Sequence, residues 1–260
     1  MATALIGGLL AKKAKPASLS VVELMPEARK RLARRKIHAS AQPDARTSAA
    51  DTVVFAVKPQ DMRAAANRLR DVVRGKQVIS VAAGIRLADL SRWLGGHREL
   101  IRCMPNTPAL IGAGITGLCA FPGVGAAAKR RAERILGAVG KTVWVKDEAL
   151  LDPVTAVSAS SPAYVFWFIE QLAAAGESLG LTPESSKTLA IEAVLGSAML
   201  AARSKESPAT LRERVTSRGG TTEAALRVFA EEGLAERFRR AVEAASRRGA
   251  EMGEMFGKDA

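Results

Sequence analysis

The sequence predicts an α/β half followed by an all-helical half. From the N-terminus to about Lys146, short and nearly continuous apolar strands alternate with amphipathic helices, as expected of a mostly parallel sheet covered on both faces. After Asp152 the strand signal stops and only helical periods remain. The expected domains are therefore residues 1–147, α/β, and residues 148–260, all-α.

Met1 opens directly into an apolar helical run, Ala2 to Ala11, followed by a basic turn with Lys12, Lys13, Lys15 and Pro16 and a strand, Ser20 to Leu24, that carries Glu23 at its end. A helix and then a strand ending in an acid is how a Rossmann-like, dinucleotide-binding fold continues after its first strand and glycine-rich turn. Here that first strand is missing ahead of Ala2. Gly7 and Gly8 lie inside the helix and follow no strand, so they are assigned to close helix packing.

Further strands are expected at Thr52 to Val57, Gln77 to Val81, Leu100 to Cys103, Gly114 to Cys119 and Thr142 to Val145. Helices are expected at Pro26 to Arg35, Gln60 to Val73, Arg86 to Leu94 and Ala126 to Val139. In the second half, Pro162 suits the first turn of a helix running to Leu179, and Gly180 can close it. Thr182 followed by Pro183 is a cap with an N1 proline and starts a long helix to about Arg203. Others follow at Pro208 to Val215, Thr222 to Glu232 and Leu234 to Phe256. Phe166, Trp167 and Phe168 make the first of these helices apolar on more than one face, which calls for burial all round. A lone helical domain could enclose it, but an interleaved dimer with a second copy is the simpler expectation.

Composition excludes several classes. No apolar run approaches the roughly 20 residues of a membrane-spanning helix, and the N-terminal lysines follow the apolar stretch rather than precede it, unlike a secretory signal. A cytoplasmic location is the default. Cys103 and Cys119 sit in apolar strands without metal spacing, so buried thiols are expected ahead of a disulfide. The net charge of +13 would suit nucleic acid, a membrane surface or small anions. Its residues, however, are spread over helical faces at Arg29 to Lys36, Lys129 to Arg134 and Arg237 to Arg248, with none of the three Trp or the one Tyr interleaved for base stacking. Solvated helix faces are the first reading and nucleic-acid binding the second.

Three segments place chemistry at strand ends. In Val53-Val54-Phe55-Ala56-Val57-Lys58-Pro59-Gln60 the proline stops the ladder and puts Lys58 at the carboxyl edge of the sheet, where open α/β sheets bind ligands. Ser80-Val81-Ala82-Ala83-Gly84-Ile85 offers small residues and a glycine at another strand end. In Arg102-Cys103-Met104-Pro105-Asn106-Thr107-Pro108, two prolines stiffen a loop that presents Asn106, either as an amide toward a carboxamide or ribose hydroxyl, or as a simple turn cap.

The fourth segment, Val215-Thr216-Ser217-Arg218-Gly219-Gly220-Thr221-Thr222-Glu223, lies between two expected helices. Paired glycines permit positive φ and bare N–H groups, and a threonine starts the next helix, which together suit a small carboxylate, with a plain interhelical turn as the alternative reading.

These segments, with Ser158-Ala159-Ser160-Ser161-Pro162-Ala163-Tyr164, resemble the pyrroline-5-carboxylate reductase family in order and spacing over nearly the whole chain. The resemblance implies an NADP-dependent (or NAD-dependent) reduction of 1-pyrroline-5-carboxylate to L-proline, and a dinucleotide domain joined to an all-α C-terminal dimerisation domain that intertwines and often builds a ring. It further implies that Gly219, Gly220 and Thr221 hold the substrate carboxylate from the partner subunit and that Thr222 acts at the ring nitrogen. Ala56, Val57, Lys58, Pro59, Ala83, Gly84 and Asn106 would line the cofactor, with Glu23 at the adenosine ribose. An acid there favours free hydroxyls and hence NAD. Arg29 and Lys30 nearby could accept the phosphate of NADP, the family's common cofactor.

The chain departs from the family's pattern at three places. Ala159 and Ser161 stand where the family has glycines; a positive φ there would cost each about 1 kcal/mol. Arg218 replaces a proline before the paired glycines, loosening the loop but adding a cation for the carboxylate. The start at Met1 leaves out the first strand and phosphate-gripping loop, through a start placed too far downstream or in a degraded paralogue that dimerises but binds cofactor poorly. Dehydrogenases of 3-hydroxy acids are a rival class, yet they depend on a lysine in an apolar helix, and the nearest here is Lys187. A non-enzymatic basic binding protein is another rival. Neither accounts for the Gly219 to Thr222 loop.

Overall fold

The chain begins as expected with helix α1 (Ala2–Ala11), whose Ala4 and Leu5 are buried. Strand β1 (Ser20–Val22), helix α2 (Pro26–Arg34), strand β2 (His38–Ser40) and the short helix α3 (Ala45–Ser48) follow. Pro26 at the first position starts α2 without an N–H to satisfy. Asp44 and Thr47 form a reciprocal capping box on α3. Strands β1 and β2 pair in parallel as a sheet of their own, Ser20 opposite His38. The sequence pattern did not foresee β2, because three residues with a histidine among them show no alternation.

The main sheet is five-stranded, in the order β3 (Thr52–Phe55), β4 (Gln77–Ser80), β5 (Leu100–Met104), β6 (Gly114–Ala120) and β7 (Gly140–Trp144). Helix α4 (Met62–Leu69), helix α5 (Leu87–Trp93) and helix α6 (Ala126–Leu136) connect its strands. All neighbours are parallel except β5 and β6. Consecutive residues of β4 and β5 enter opposite layers, as a pleat requires. Val78 and Leu100 join Phe55, Met62, Leu90 and Trp93 on one face. Ile79, Ile101 and Cys103 join Leu5, Leu118 and Leu136 on the other. Each fully buried side chain of this size contributes roughly 1.5–3 kcal/mol, so the sheet is held from both sides.

Cys103 and Cys119 are both free and buried, in opposite layers. Burial pushes both thiols above their ordinary range, so they are inert core residues.

After β7 the chain runs through helix α7 (Leu151–Val154) into a π-helical turn, Thr155–Ala159. Helices α8 (Ser161–Ser178), α9 (Pro183–Arg203), α10 (Pro208–Arg214), α11 (Thr221–Glu231) and α12 (Leu234–Gly257) complete it. The cap foreseen at α9 is formed, the Thr182 hydroxyl accepting from the Ser185 N–H, and α10 is capped in the same way by the Ser207 hydroxyl, which accepts from the Thr210 N–H. Gly176 lets α9 come close, since a Cβ there would stand 2.8 Å from the Ser186 hydroxyl.

This computed structural model describes residues 1–257, which divide into two compact units. The first comprises Met1–Ser160 and the chain from Ala245 onward; the second is Ser161–Ala244. Residues 148–160 and the end of α12 thus pack with the sheet. Among the described residues no helix is long and apolar enough to cross a membrane.

Candidate active site

Three of the expected segments leave the same edge of the main sheet. Phe55 is in register with Ser80, and Ser80 with Arg102, on parallel strands. The residues that follow, Ala56–Pro59, Val81–Gly84 and Pro105–Asn106, therefore emerge side by side at the carboxyl edge. Val57 is 38% exposed there, beside an exposed Lys58 and the partly exposed Ala56, Pro59 and Ala83. Lys58 is the N-cap of the turn Pro59–Asp61. Such an edge, small and apolar with one cation, can receive a flat ring and an anionic group.

Two residues of the set are used differently from expectation. Asn106 is 8% exposed, and its amide ties the protein together: Nδ2 donates to the Ser158 carbonyl at 3.1 Å, and Oδ1 accepts from the Ile115 N–H at 2.9 Å. It locks the Pro105–Pro108 loop to β6 and to the π-helical turn. Gly84 takes φ +72 and is covered rather than open, because a Cβ there would meet Phe256 Cδ2 at 3.0 Å and Met252 Cβ at 3.2 Å. Its missing side chain admits the protein's own last helix.

Glu23 follows β1, in the separate two-stranded sheet, and no strand pairing joins it to the other three segments. Its Oε1 accepts from the Met25 N–H at 2.9 Å. Arg29 Nη1 donates to the carbonyls of Glu23 and Leu24 at 2.8 and 2.7 Å. An acid and a guanidinium thus stand together at this corner. Lys30 is paired with Glu27.

The second unit carries the Arg218 to Thr222 loop. Gly219 has φ +71 with open space around it, a conformation that glycine supplies without strain. Its N–H donates to Glu223 Oε2 at 2.6 Å, and the Gly220 N–H donates to the Ser217 carbonyl at 3.0 Å. Gly220 is the N-cap of α11, so the N–H groups of Thr221 and Thr222, in the first turn, have no intrahelical acceptor. A carboxylate of the chain, that of Glu223, already accepts from the Gly219 N–H. Arg218 is exposed. Ala159 lies in the π-helical turn, Ser161 starts α8, and neither takes positive φ. Alanine and serine are accommodated there without the backbone penalty that a left-handed glycine position would impose.

Sequence reasoning missed an ion cluster beneath the edge. Arg102 is 5% exposed; its Nη1 meets Glu148 Oε1 at 2.9 Å and its Nη2 meets Asp152 Oδ1 at 3.7 Å. The same Glu148 oxygen accepts from the Leu87 N–H at 2.7 Å, so the cluster ties β5, α5 and the approach to α7. An arginine inside the apolar run Leu100–Met104 was the available signal, as a buried cation must find acids. Among the described residues no group of acids, cysteines and histidines could hold a metal ion.

Comparison with known proteins agrees with this geometry. A family model for pyrroline-5-carboxylate reductase dimerisation matches residues 148–252, and one for a coenzyme F420-dependent NADP oxidoreductase matches residues 1–84. A pyrroline-5-carboxylate reductase of Pseudomonas aeruginosa is 43% identical over 260 residues, covering 99% of this chain and 95% of that protein. The chain belongs to the pyrroline-5-carboxylate reductase family. The reductase of Haemophilus influenzae is 37% identical over 98% of this chain and 95% of its own length. Among solved structures, a pyrroline-5-carboxylate reductase from Coxiella burnetii superposes with a TM-score of 0.92 at 36% identity, covering 96% of this chain and 94% of that one. The Plasmodium falciparum pyrroline carboxylate reductase with NADP bound gives 0.84 at 27% identity, with coverage of 96% and 94%. This reductase family thus joins a Rossmann-like sheet to a helical dimerisation region, as the element pattern anticipated.

Proposed function

We propose that this protein reduces 1-pyrroline-5-carboxylate to L-proline with NADPH, in the cytoplasm, as a homodimer that can assemble further into a ring. The observation that carries the reading is the alignment of three strand ends at one sheet edge in a member of this reductase family. NADP is preferred over NAD because Arg29 stands beside the Glu23 corner and because a relative binds NADP. The residues present fit such a cofactor: Val57, Ala56 and Ala83 make an apolar bed, and Lys58 and Pro59 border it. When bound, the nicotinamide would supply hydride to the carbon of the protonated imine, turning its C=N bond into a C–N single bond while the nitrogen keeps its proton.

The chain's own part is binding and orientation. Ala56, Val57, Lys58, Pro59 and Ala83 hold the cofactor in this reading, with Gly84 and Asn106 setting the loops from behind. The second-unit loop takes the substrate carboxylate through Gly219, Gly220 and Thr221. On Gly219 the substrate would displace the carboxylate of Glu223, and Gly220 contributes by shaping the turn, its N–H being engaged with Ser217. Arg218 adds attraction, and the Thr222 hydroxyl orients the ring nitrogen or relays its proton. Residues 148–260 serve dimerisation and substrate binding, and residues 1–147 bind the cofactor.

Support for the dimer is the apolar surface of the second unit. Phe166, Trp167 and Phe168 are 66%, 57% and 47% exposed, which a monomer rarely tolerates in one stretch. The test is direct. NADPH oxidation with pyrroline-5-carboxylate should proceed with a kcat/KM at least about tenfold above that with NADH, a difference of about 1.4 kcal/mol. No turnover with either cofactor overturns the activity, and a reversed ratio overturns the choice of cofactor.

A further inference from the structure

Gly249, Gly253 and Gly257 recur every four residues along the end of α12, so they line one face of the helix. Each faces a charged residue of the first unit, to which this part of α12 belongs. A Cβ on Gly249 would stand 3.6 Å from Asp152 Oδ1, one on Gly253 2.8 Å from Arg86 Nε, and one on Gly257 2.5 Å from Asp89 Oδ2. Without those side chains, the guanidinium groups reach the helix backbone. Arg86 Nη2 donates to the Ala250 carbonyl at 3.4 Å, and Arg92 Nη2 to the Gly257 carbonyl at 3.0 Å. Arg92 Nη1 is held at 3.0 Å from Asp89 Oδ1. Cations at the end of a helix also meet the negative pole of its dipole.

The adjoining face of the same turns carries Met252 and Phe256, the residues that cover Gly84. Phe256 packs on the core layer that includes Ala82, Ile85 and Leu87. The turn at the end of β4 is therefore gripped from both sides, by its own strand and by the last helix. Ala83, between the buried Ala82 and Gly84, is the residue left partly open at the edge.

We infer that the final turns of α12 position the β4–α5 turn for cofactor binding, with Arg86, Arg92 and Phe256 as positioning residues that do not themselves touch cofactor or substrate. This rests on the reading of Ala83 as part of the cofactor bed. The physical basis is that a glycine turn at positive φ has little rigidity of its own. Packing by a helix with one glycine face against α5 and one apolar face against Gly84 supplies it.

The test uses the full chain with Phe256→Ala and Arg86→Ala, and with Phe256→Leu and Arg86→Lys as conservative partners. NADPH affinity is measured by fluorescence titration without imino acid, both KM values by steady-state kinetics, and hydrogen exchange over the peptide 82–87. The alanine variants should weaken NADPH binding and raise its KM about fivefold or more, with the KM for pyrroline-5-carboxylate within about twofold. Exchange over 82–87 should rise, and the conservative variants should recover most of the loss. Folded alanine variants with unchanged NADPH affinity overturn the inference. So does an equal rise in both KM values that the conservative variants fail to reverse, which marks a general structural effect. If the unaltered chain binds no NADPH, the cofactor-bed reading itself has failed and the positioning role falls with it; that failure is told apart because it precedes any substitution.

Discussion

The two units of this reductase handle apolar surface in opposite ways. In the first, a five-stranded sheet buries Ile79, Leu100, Ile101 and Leu118 almost completely within its own layers. In the second, α8, α10 and α11 bury no residue by themselves, and large side chains such as Phe166, Trp167, Leu195 and Phe229 stand exposed. The first unit completes its core from one chain. The second has the composition of an interior and the burial of a surface, so its stability belongs to an assembly. The proposed chemistry divides along the same line, with the cofactor bed assigned to the sheet edge and the carboxylate loop to the helical unit.

The contrast is open to attack first through the cores. Leu100→Ala should lower stability by about 2–5 kcal/mol, the usual result of emptying a buried leucine site, and the loss should be the same at every protein concentration in thermal melts. Trp167→Ala should instead act on assembly, giving a smaller species in analytical ultracentrifugation and a melting temperature that depends on concentration. A Trp167→Ala protein that remains a dimer with unchanged melting removes the distinction between the units.

A mid-sized effect is expected at the anion loop. Gly219→Ala puts a Cβ into open space at φ +71, so the backbone strain of about 1–2 kcal/mol is the whole cost. The KM for the imino acid should rise while NADPH binding in the other unit stays constant. A change in NADPH affinity would show that the two functions are not separated as described.

The smallest effect is a pH signature in the first unit. The Thr47 N–H and then the His38 ring, 2.6 Å away, hold Asp44 down from 3.8 to about 2. Because the folded value is the lower one, the stabilisation is present above about pH 4 and is lost as pH falls toward 2. Asp44→Asn should lower the melting temperature at neutral pH, where the parent holds this stabilisation in full, and the difference between the two proteins should close as pH falls from about 4 toward 2. An unchanged difference between the two proteins from pH 5 to 2 would contradict it.

Local chemistry made much of this legible in the sequence. The prolines at 26, 183 and 208 start helices, and Thr182 caps the second of these, because those rules act within one turn. The three strand ends were recognisable because Lys-Pro, Ala-Ala-Gly and Pro-Asn-Thr-Pro punctuate apolar runs. Strand β2 was not legible, since its three residues pair with β1 without any periodic pattern. The uses of Asn106, Gly84 and Arg102 were also hidden. Each of these residues suggests exposure to a ligand or a solitary role, and each is engaged by a segment far along the chain.

By itself, then, the sequence determined the elements, their caps, the change from α/β to all-α and the family, since periodicity, turn residues and motif order are properties of neighbouring positions. Only the tertiary structure decided which groups are already taken. Asn106 is bound to Ser158, Arg102 to Glu148 and Asp152, Gly219 to Glu223, and Gly84 lies under Met252 and Phe256. The reason is physical: a polar group or a bare glycine specifies that something must approach, and most of these partners come from packing across distant segments that no local spacing records.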